Sequence, residues 1–158
     1  MKVLIVYDTV SPTKLTAKIA ETIANVLKEK GIDVDSFFIK DTAVKVDVKS
    51  YDCLLVGSPT MYWKLSSGIK QFLNGFSEKE FPGKMAAAFD TQMRSRMSGN
   101  AAEGIEKKLK KMGFRIITPP LVVHVEGKIN AMYLQEGEQE KTKSWALEVA
   151  RTLSEQSK

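Results

Sequence analysis

A chain of 158 residues, 43% apolar and 27% charged, is long enough to bury a core and too apolar for disorder. One Cys and one His exclude an internal disulfide and leave no constellation of soft metal ligands. A net charge of +5 favours anionic ligands or acidic partners in an encounter, but no basic run is interleaved with aromatics, so nucleic acid is not expected as a partner.

The first segment, "KVLIVY" over Lys2–Tyr7, is nearly all apolar, as in a strand covered on both faces. After the loop "DTVSPTK", residues 8–14, a helix runs to about residue 30, with Ile19, Ile23, Val26 and Leu27 on one stripe and Gly31 placed to stop it. "DVDSFFIK", residues 33–40, alternates and suits an edge strand. "DCLLVGS", residues 52–58, reads as a third, buried strand. The loop "SPTMYWK", residues 58–64, leads to a second helix marked by Ile69, Phe72, Leu73 and Phe76. "GKMAAAFD", residues 83–90, is a fourth strand whose alanines leave room for a helix.

Beyond the loop "DTQMRSRMSGN", residues 90–100, a third helix is predicted to about residue 112. Asn100 and Glu103 stand at capping-box spacing, Ile105, Leu109 and Met112 face inward, and Gly113 ends it. "FRIITPPLVVHV", residues 114–125, reads as a fifth strand. Pro119 and Pro120 each remove a ladder donor, so this strand belongs at an edge or is bent there. A last helix, residues 138–155, is expected to pack through Trp145, Val149 and Leu153, and its acidic start suits the macrodipole.

Strands alternating with helices give an α/β chain with a doubly wound, mainly parallel sheet, expected as one domain over residues 1–158. No apolar run is long enough to span a membrane, and no charged segment followed by an apolar one opens the chain. A soluble, cytoplasmic protein without membrane association is therefore expected.

In such sheets ligands bind outside the carboxyl ends of the strands. The first loop sets Thr9, Ser11 and Thr13 before a helix start, where they can grip a phosphate or simply cap the helix. The second places Met61, Tyr62 and Trp63 outside either periodicity, as a ligand or partner surface or as a cover for the sheet end. The third offers amide, hydroxyl and guanidinium donors suited to the edge of a flat heterocycle, or to solvent. His124 and Cys53 read as structural.

Together these loops resemble the flavodoxin family over essentially the whole chain, most closely its short-chain members, since no insertion splits the fifth strand. The resemblance implies a five-stranded parallel sheet of order 2-1-3-4-5 between two helical layers, FMN as cofactor, and electron transfer between redox proteins. It implies that Thr9, Val10, Ser11, Pro12, Thr13 and Lys14 hold the phosphate. "VGSPTMYW", residues 56–63, is similar to the G-[ST]-P-T loop of flavodoxin-like quinone reductases and flavoproteins. That similarity implies that Ser58, Pro59 and Thr60 line the isoalloxazine while Met61, Tyr62 or Trp63 pack on it. Asp90, Thr91 and Gln92 fall at the pyrimidine side, with Arg94 near the exposed ring edge.

Four departures stand out. Pro12 replaces a usual Gly, removing one donor and forbidding positive φ there. Lys14 stands near the family's last Thr and brings charge where a hydrogen bond is lost. The loop from Ser58 to Trp63 has no Gly beside the ring. The chain is basic where the family is usually acidic, so Lys64, Arg94 and Arg96 are expected to raise the second reduction potential and to steer an acidic redox partner. The competing readings are an NAD(P)H-dependent quinone or flavin reductase, which the "GSPT" loop permits, and a flavin-free interaction module.

Overall fold

The alternation of buried strands and amphipathic helices is realised in a computed structural model, which describes residues 1–41, 46–60, 64–93, 100–128 and 130–158. β1 (Lys2–Tyr7) leads to α1 (Leu15–Glu29) and β2 (Asp33–Phe38), β3 (Cys53–Pro59) to α2 (Ser67–Asn74), and β4 (Met85–Met93) to α3 (Ala101–Lys111). β5 (Arg115–Ile116), β6 (Leu121–Glu126), β7 (Tyr133–Leu134) and α4 (Glu138–Gln156) complete the chain. The sheet order is β2-β1-β3-β4-β6-β7, and β5 also pairs with β4.

Successive strand residues point to opposite faces, and both faces here are apolar. Ile5, Leu55, Ala87 and Phe89 face Ile19, Ile23 and Leu27 of α1 and Val149 and Leu153 of α4. Val6, Leu54 and Ala88 face Ile69 and Leu73 of α2 and Ile105 and Leu109 of α3. The result is three layers, α/β/α. The Cys53 thiol is buried in the first of these cores, and burial pushes its pKa up, as befits a packing residue. Among the described residues no helix is long and apolar enough to cross a membrane.

The fifth strand is interrupted at the prolines expected to bend it. Pro119 and Pro120 break it into two pieces, and both pieces pair parallel to β4: Arg115 opposite Met85, and Leu121 opposite Phe89. β7 then turns back antiparallel along the end of β6, so the sheet has more than five strands. The freed Pro119 carbonyl accepts from Trp145 Nε1 at 2.8 Å. Trp145 is consequently half-buried, with its ring against Phe89, and is not fully in the core. On the outer side of β6, the His124 N–H donates to Glu138 Oε2 at 2.7 Å and the His124 carbonyl accepts from Gln135 N–H at 3.1 Å. Burial works against the Glu138 charge, but the Lys141 ammonium and the His124 N–H hold the carboxyl below the usual range.

β3 and β4 approach closely at Gly57, where an added Cβ would lie 2.1 Å from carbons of the fully buried Phe89 ring. Gly57→Ala is expected to lower stability by roughly 1–3 kcal/mol through overpacking, measured as the urea midpoint. Phe89→Leu added to that variant should recover part of the loss, because the two positions are coupled.

Candidate functional site

The carboxyl ends of β1, β3, β4 and β6 open into one cavity of about 210 Å³. Val10 and Ser11 come from the loop after β1, Pro59 and Thr60 from the end of β3, and Thr91, Gln92 and Met93 from the end of β4. Parts of all three predicted loops therefore share one wall. Met61, Tyr62, Trp63, Arg94 and Arg96 lie outside the described residues.

The first loop turns tightly. Lys14 N–H donates to the Ser11 carbonyl at 3.1 Å, which puts Pro12 at the second position of a four-residue turn, where its fixed φ fits. The left-handed backbone that Pro12 cannot adopt appears two residues later, at Lys14, with φ 53°. Lys14 is the N-cap of α1, and its side chain makes no cap hydrogen bond. The Ser11 and Thr13 hydroxyls lie 3.3 Å from one another, so neither serves as the cap that their position allowed. Thr9 N–H donates to Asp8 Oδ1 at 2.8 Å, and the buried Thr9 Oγ1 has no hydrogen-bond partner among the described residues.

Other helix starts are treated differently. Ser66 Oγ accepts from Ile69 N–H at the start of α2. At α3 the N–H groups of Ala101, Ala102 and Glu103 go to Thr60 Oγ1, Asp90 Oδ2 and Asn100 Oδ1, each at 3.1 Å. α4 carries Glu138 and Glu140 in its first turn. Of the four α-helices among the described residues, α1 alone begins with neither a side-chain cap nor an acidic residue. The first N–H groups of a helix have no intrahelical partner, and with no side-chain cap at α1 they and the positive end of its dipole can attract an anion.

Asp90, Thr91 and Gln92 are not loop residues. β6 pairs with β4 from Phe89 to Met93, which keeps the chain extended past the predicted end of the strand. Asp90 is fully buried and does not line the cavity. Its Oδ2 accepts from Gln92 Nε2 at 3.0 Å, Ala102 N–H at 3.1 Å and Thr60 Oγ1 at 3.3 Å, while Oδ1 has no partner in hydrogen-bonding geometry. Burial pushes its pKa up to about 6, against the pull of the Ala102, Gln92, Thr60 and Val123 donors.

Ser58 is likewise turned inward. Its hydroxyl donates to the Pro59 carbonyl and accepts from Ser66 N–H, both at 2.8 Å, and so joins the end of β3 to the start of α2. The Ser58 hydroxyl is thus engaged in bracing the two elements.

Some lining residues were not anticipated. Thr16 bonds Thr91 hydroxyl to hydroxyl at 2.9 Å at the cavity wall. The signal was a Thr standing on the same helical stripe as Ile19 and Ile23. Val125, Gly127 and Met132 enter from the β6–β7 hairpin, which Tyr133 OH and Gln135 Nε2 brace by donating to Glu126 at 2.9 and 2.6 Å. None of the described lining residues is acidic.

Residues 4–144 match the family model described as a flavodoxin domain. The chain belongs to the flavodoxin family. No curated protein matches the sequence. Among solved structures, the oxidised flavodoxin 1 from Bacillus cereus is 20% identical with a TM-score of 0.77, covering 96% of this chain and 98% of that one. A flavodoxin from the domain Archaea is 25% identical with a TM-score of 0.75, over 98% of this chain and 99% of its own. The Streptococcus pneumonia TIGR4 flavodoxin is 19% identical with a TM-score of 0.75, over 96% and 99%. The likeness thus runs end to end along the chain.

Asp90 gives this flavodoxin a pH signature. Since its pKa is about 6 in the fold and near 4 when unfolded, the unfolded chain loses the proton first as pH rises. Stability should fall between about pH 4 and 6, by up to roughly 3 kcal/mol, and be level above. In Asp90→Asn the amide oxygen can take the three donors, and this term vanishes. Urea midpoints measured across that window should show the wild type losing ground to the variant as pH rises; parallel curves would exclude the assignment.

Proposed function

We propose that this flavodoxin-family chain binds FMN at the cavity and carries electrons between redox proteins. The observation that carries the reading is the uncapped start of α1, which opens onto the same cavity as Pro59, Thr60, Thr91 and Gln92. The donor set fits a phosphate: the Ser11 and Thr13 hydroxyls, the unpartnered Thr9 Oγ1 and the first N–H groups of α1, with no carboxylate among the described lining residues to oppose it.

The ends of β3 and β4 would flank the flavin ring. Thr60 N–H is held by the Thr91 carbonyl at 2.8 Å, so these two walls are fixed relative to each other before any ligand arrives. Met61, Tyr62 and Trp63 are proposed to cover the ring and Arg94 to lie near its exposed edge. FMN, when bound, supplies one- and two-electron redox chemistry, while the chain binds, orients and shields. Thr16 and Thr91 close the floor with a hydroxyl pair, and Val10, Met93 and Met132 keep water from the walls.

A redox protein with an acidic docking face is proposed as partner. The chain is basic overall, and Val10 and Met93, 44% and 50% exposed, offer an apolar rim at the cavity mouth. A single buried Cys suits the reducing cytoplasm, which is proposed as its compartment.

The test is a visible spectrum of flavin-free protein titrated with FMN, followed anaerobically by NADPH. Uptake of one FMN per chain that NADPH leaves oxidised is expected. Rapid bleaching would convert the reading to a reductase, and no uptake would sink it. Ser11→Ala with Thr13→Ala should weaken FMN at least about tenfold, since a hydrogen bond to a charged group contributes about 1.5–3 kcal/mol, while riboflavin binding is spared.

A further inference from the structure

Asp90 carries its charge in a place that does not reward it. The residue is fully buried, its Oδ1 has no hydrogen-bond partner among the described residues, and burial holds its pKa up at about 6. No cation pairs with it among the described residues: β3 brings Ser58 and Thr60 to it, β6 the Val123 N–H and α3 the Ala102 N–H, and Glu103 in the first turn of α3 is exposed. Two further titratable groups stand on this side of the sheet. Asp8 lies beyond Ser58, just past β1, and His124 is in register with Gln92 and 3.7 Å from the Glu138 carboxylate. Asparagine would keep the three donors of Asp90 without the charge, so the fold itself has no need of an acid here.

The cavity wall does have a use for it. Thr60 and Gln92 both line the cavity, and both donate to Asp90 Oδ2, at 3.3 and 3.0 Å. An ionised carboxylate only accepts, so it turns the Thr60 hydroxyl proton and the Gln92 amide nitrogen inward and fixes both side chains. Protonation undoes this. A proton on Oδ1 meets no acceptor among the described residues, and a proton on Oδ2 displaces one of the three donors. The Thr60 contact is the longest of the three and is lost first, while the Thr60 backbone stays in place on the Thr91 carbonyl. We infer that Asp90 is a positioning residue: ionised, it sets the Thr60 and Gln92 side chains for the bound flavin, and its protonation releases the flavin. Folding and binding then answer acid in opposite directions. Protonation relieves the buried charge and stabilises the chain while it weakens the site, so acid release is not unfolding. The inference rests on the FMN reading for the identity of the ligand, but not for the proton-controlled wall.

The experiment measures riboflavin binding to flavin-free wild type, Asp90→Asn and His124→Gln on either side of the Asp90 transition, at about pH 7.5 and about pH 5. Riboflavin has no phosphate whose own titration would intrude; where it binds too weakly, FMN replaces it and the Asp90→Asn protein cancels the phosphate. Wild type and His124→Gln should bind about fivefold more weakly at the lower pH, and Asp90→Asn equally at both. Wild-type affinity that is level or rises on acidification, a dependence that Asp90→Asn retains, or one that His124→Gln abolishes overturns the inference. If wild type takes up neither flavin, the FMN reading fails by itself and the wall is followed without ligand, through the nuclear magnetic resonance signals of the Gln92 side-chain amide and the Ala102 N–H. A shared midpoint near pH 6 in wild type that is absent from Asp90→Asn sustains the proton-controlled wall, and signals that stay still, or move in both proteins, overturn it. Where Asp90→Asn does not fold, wild type alone decides: its amide signals and its flavin affinity must share one midpoint, and separate midpoints overturn the inference.

Discussion

A strand covered by helices on both faces can carry polar side chains only where it emerges from beneath them. Every strand at the centre of this sheet obeys that constraint. β1 is apolar from Val3 to Val6 and β4 from Met85 to Phe89, and the first polar groups appear together at the carboxyl ends: Asp8 and Thr9, Ser58, Asp90 and Thr91. Because the strands are parallel, those ends lie side by side. The concentration of chemistry at one rim follows from burial, before any particular ligand is considered.

The rim then divides its polar groups between two tasks. Ser58, Thr60 and Asp90 are spent on the protein itself: they satisfy N–H groups at the starts of α2 and α3 and fix the walls of the cavity. Thr9, Ser11 and Thr13 leave the start of α1 open. Buried polar groups ordinarily find partners, so an open helix start and the unpartnered Thr9 Oγ1, beside a network that satisfies the starts of α2 and α3, mark where the protein itself is incomplete. Charge follows the same division, with a buried carboxylate beneath α3 and a lysine at the head of α1.

Much of this was legible in the residues. The continuous apolar runs identified the inner strands, Asn100 and Glu103 identified the start of α3, and Gly31 and Gly113 take positive φ just beyond the helices they end. What escaped depended on partners distant in sequence. Nothing within "FDTQM" tells that β6 will extend β4 through Met93, and nothing within "GSPT" tells that the Ser58 hydroxyl will be claimed by Ser66 eight residues on. Pro12 was read as the loss of a left-handed residue, whereas the turn simply moves that conformation to Lys14, a shift that becomes visible only once the backbone closes. The hairpin wall was missed because a two-residue strand has no period to detect.

The broken fifth strand also determines how the sheet ends. Along its outer side the Pro119 carbonyl is taken by Trp145, Pro120 has no N–H to offer, and both backbone groups of His124 are taken, one by the Glu138 carboxylate and the other by Gln135. A strand from another molecule would find few free groups to zip onto, so this margin resists the edge-to-edge growth that open sheets invite. The same break makes the margin forgiving. β5 and β6 are each anchored to β4 independently, so the chain between them could lengthen without unlocking either, and this corner is where the architecture can accept new sequence at least cost.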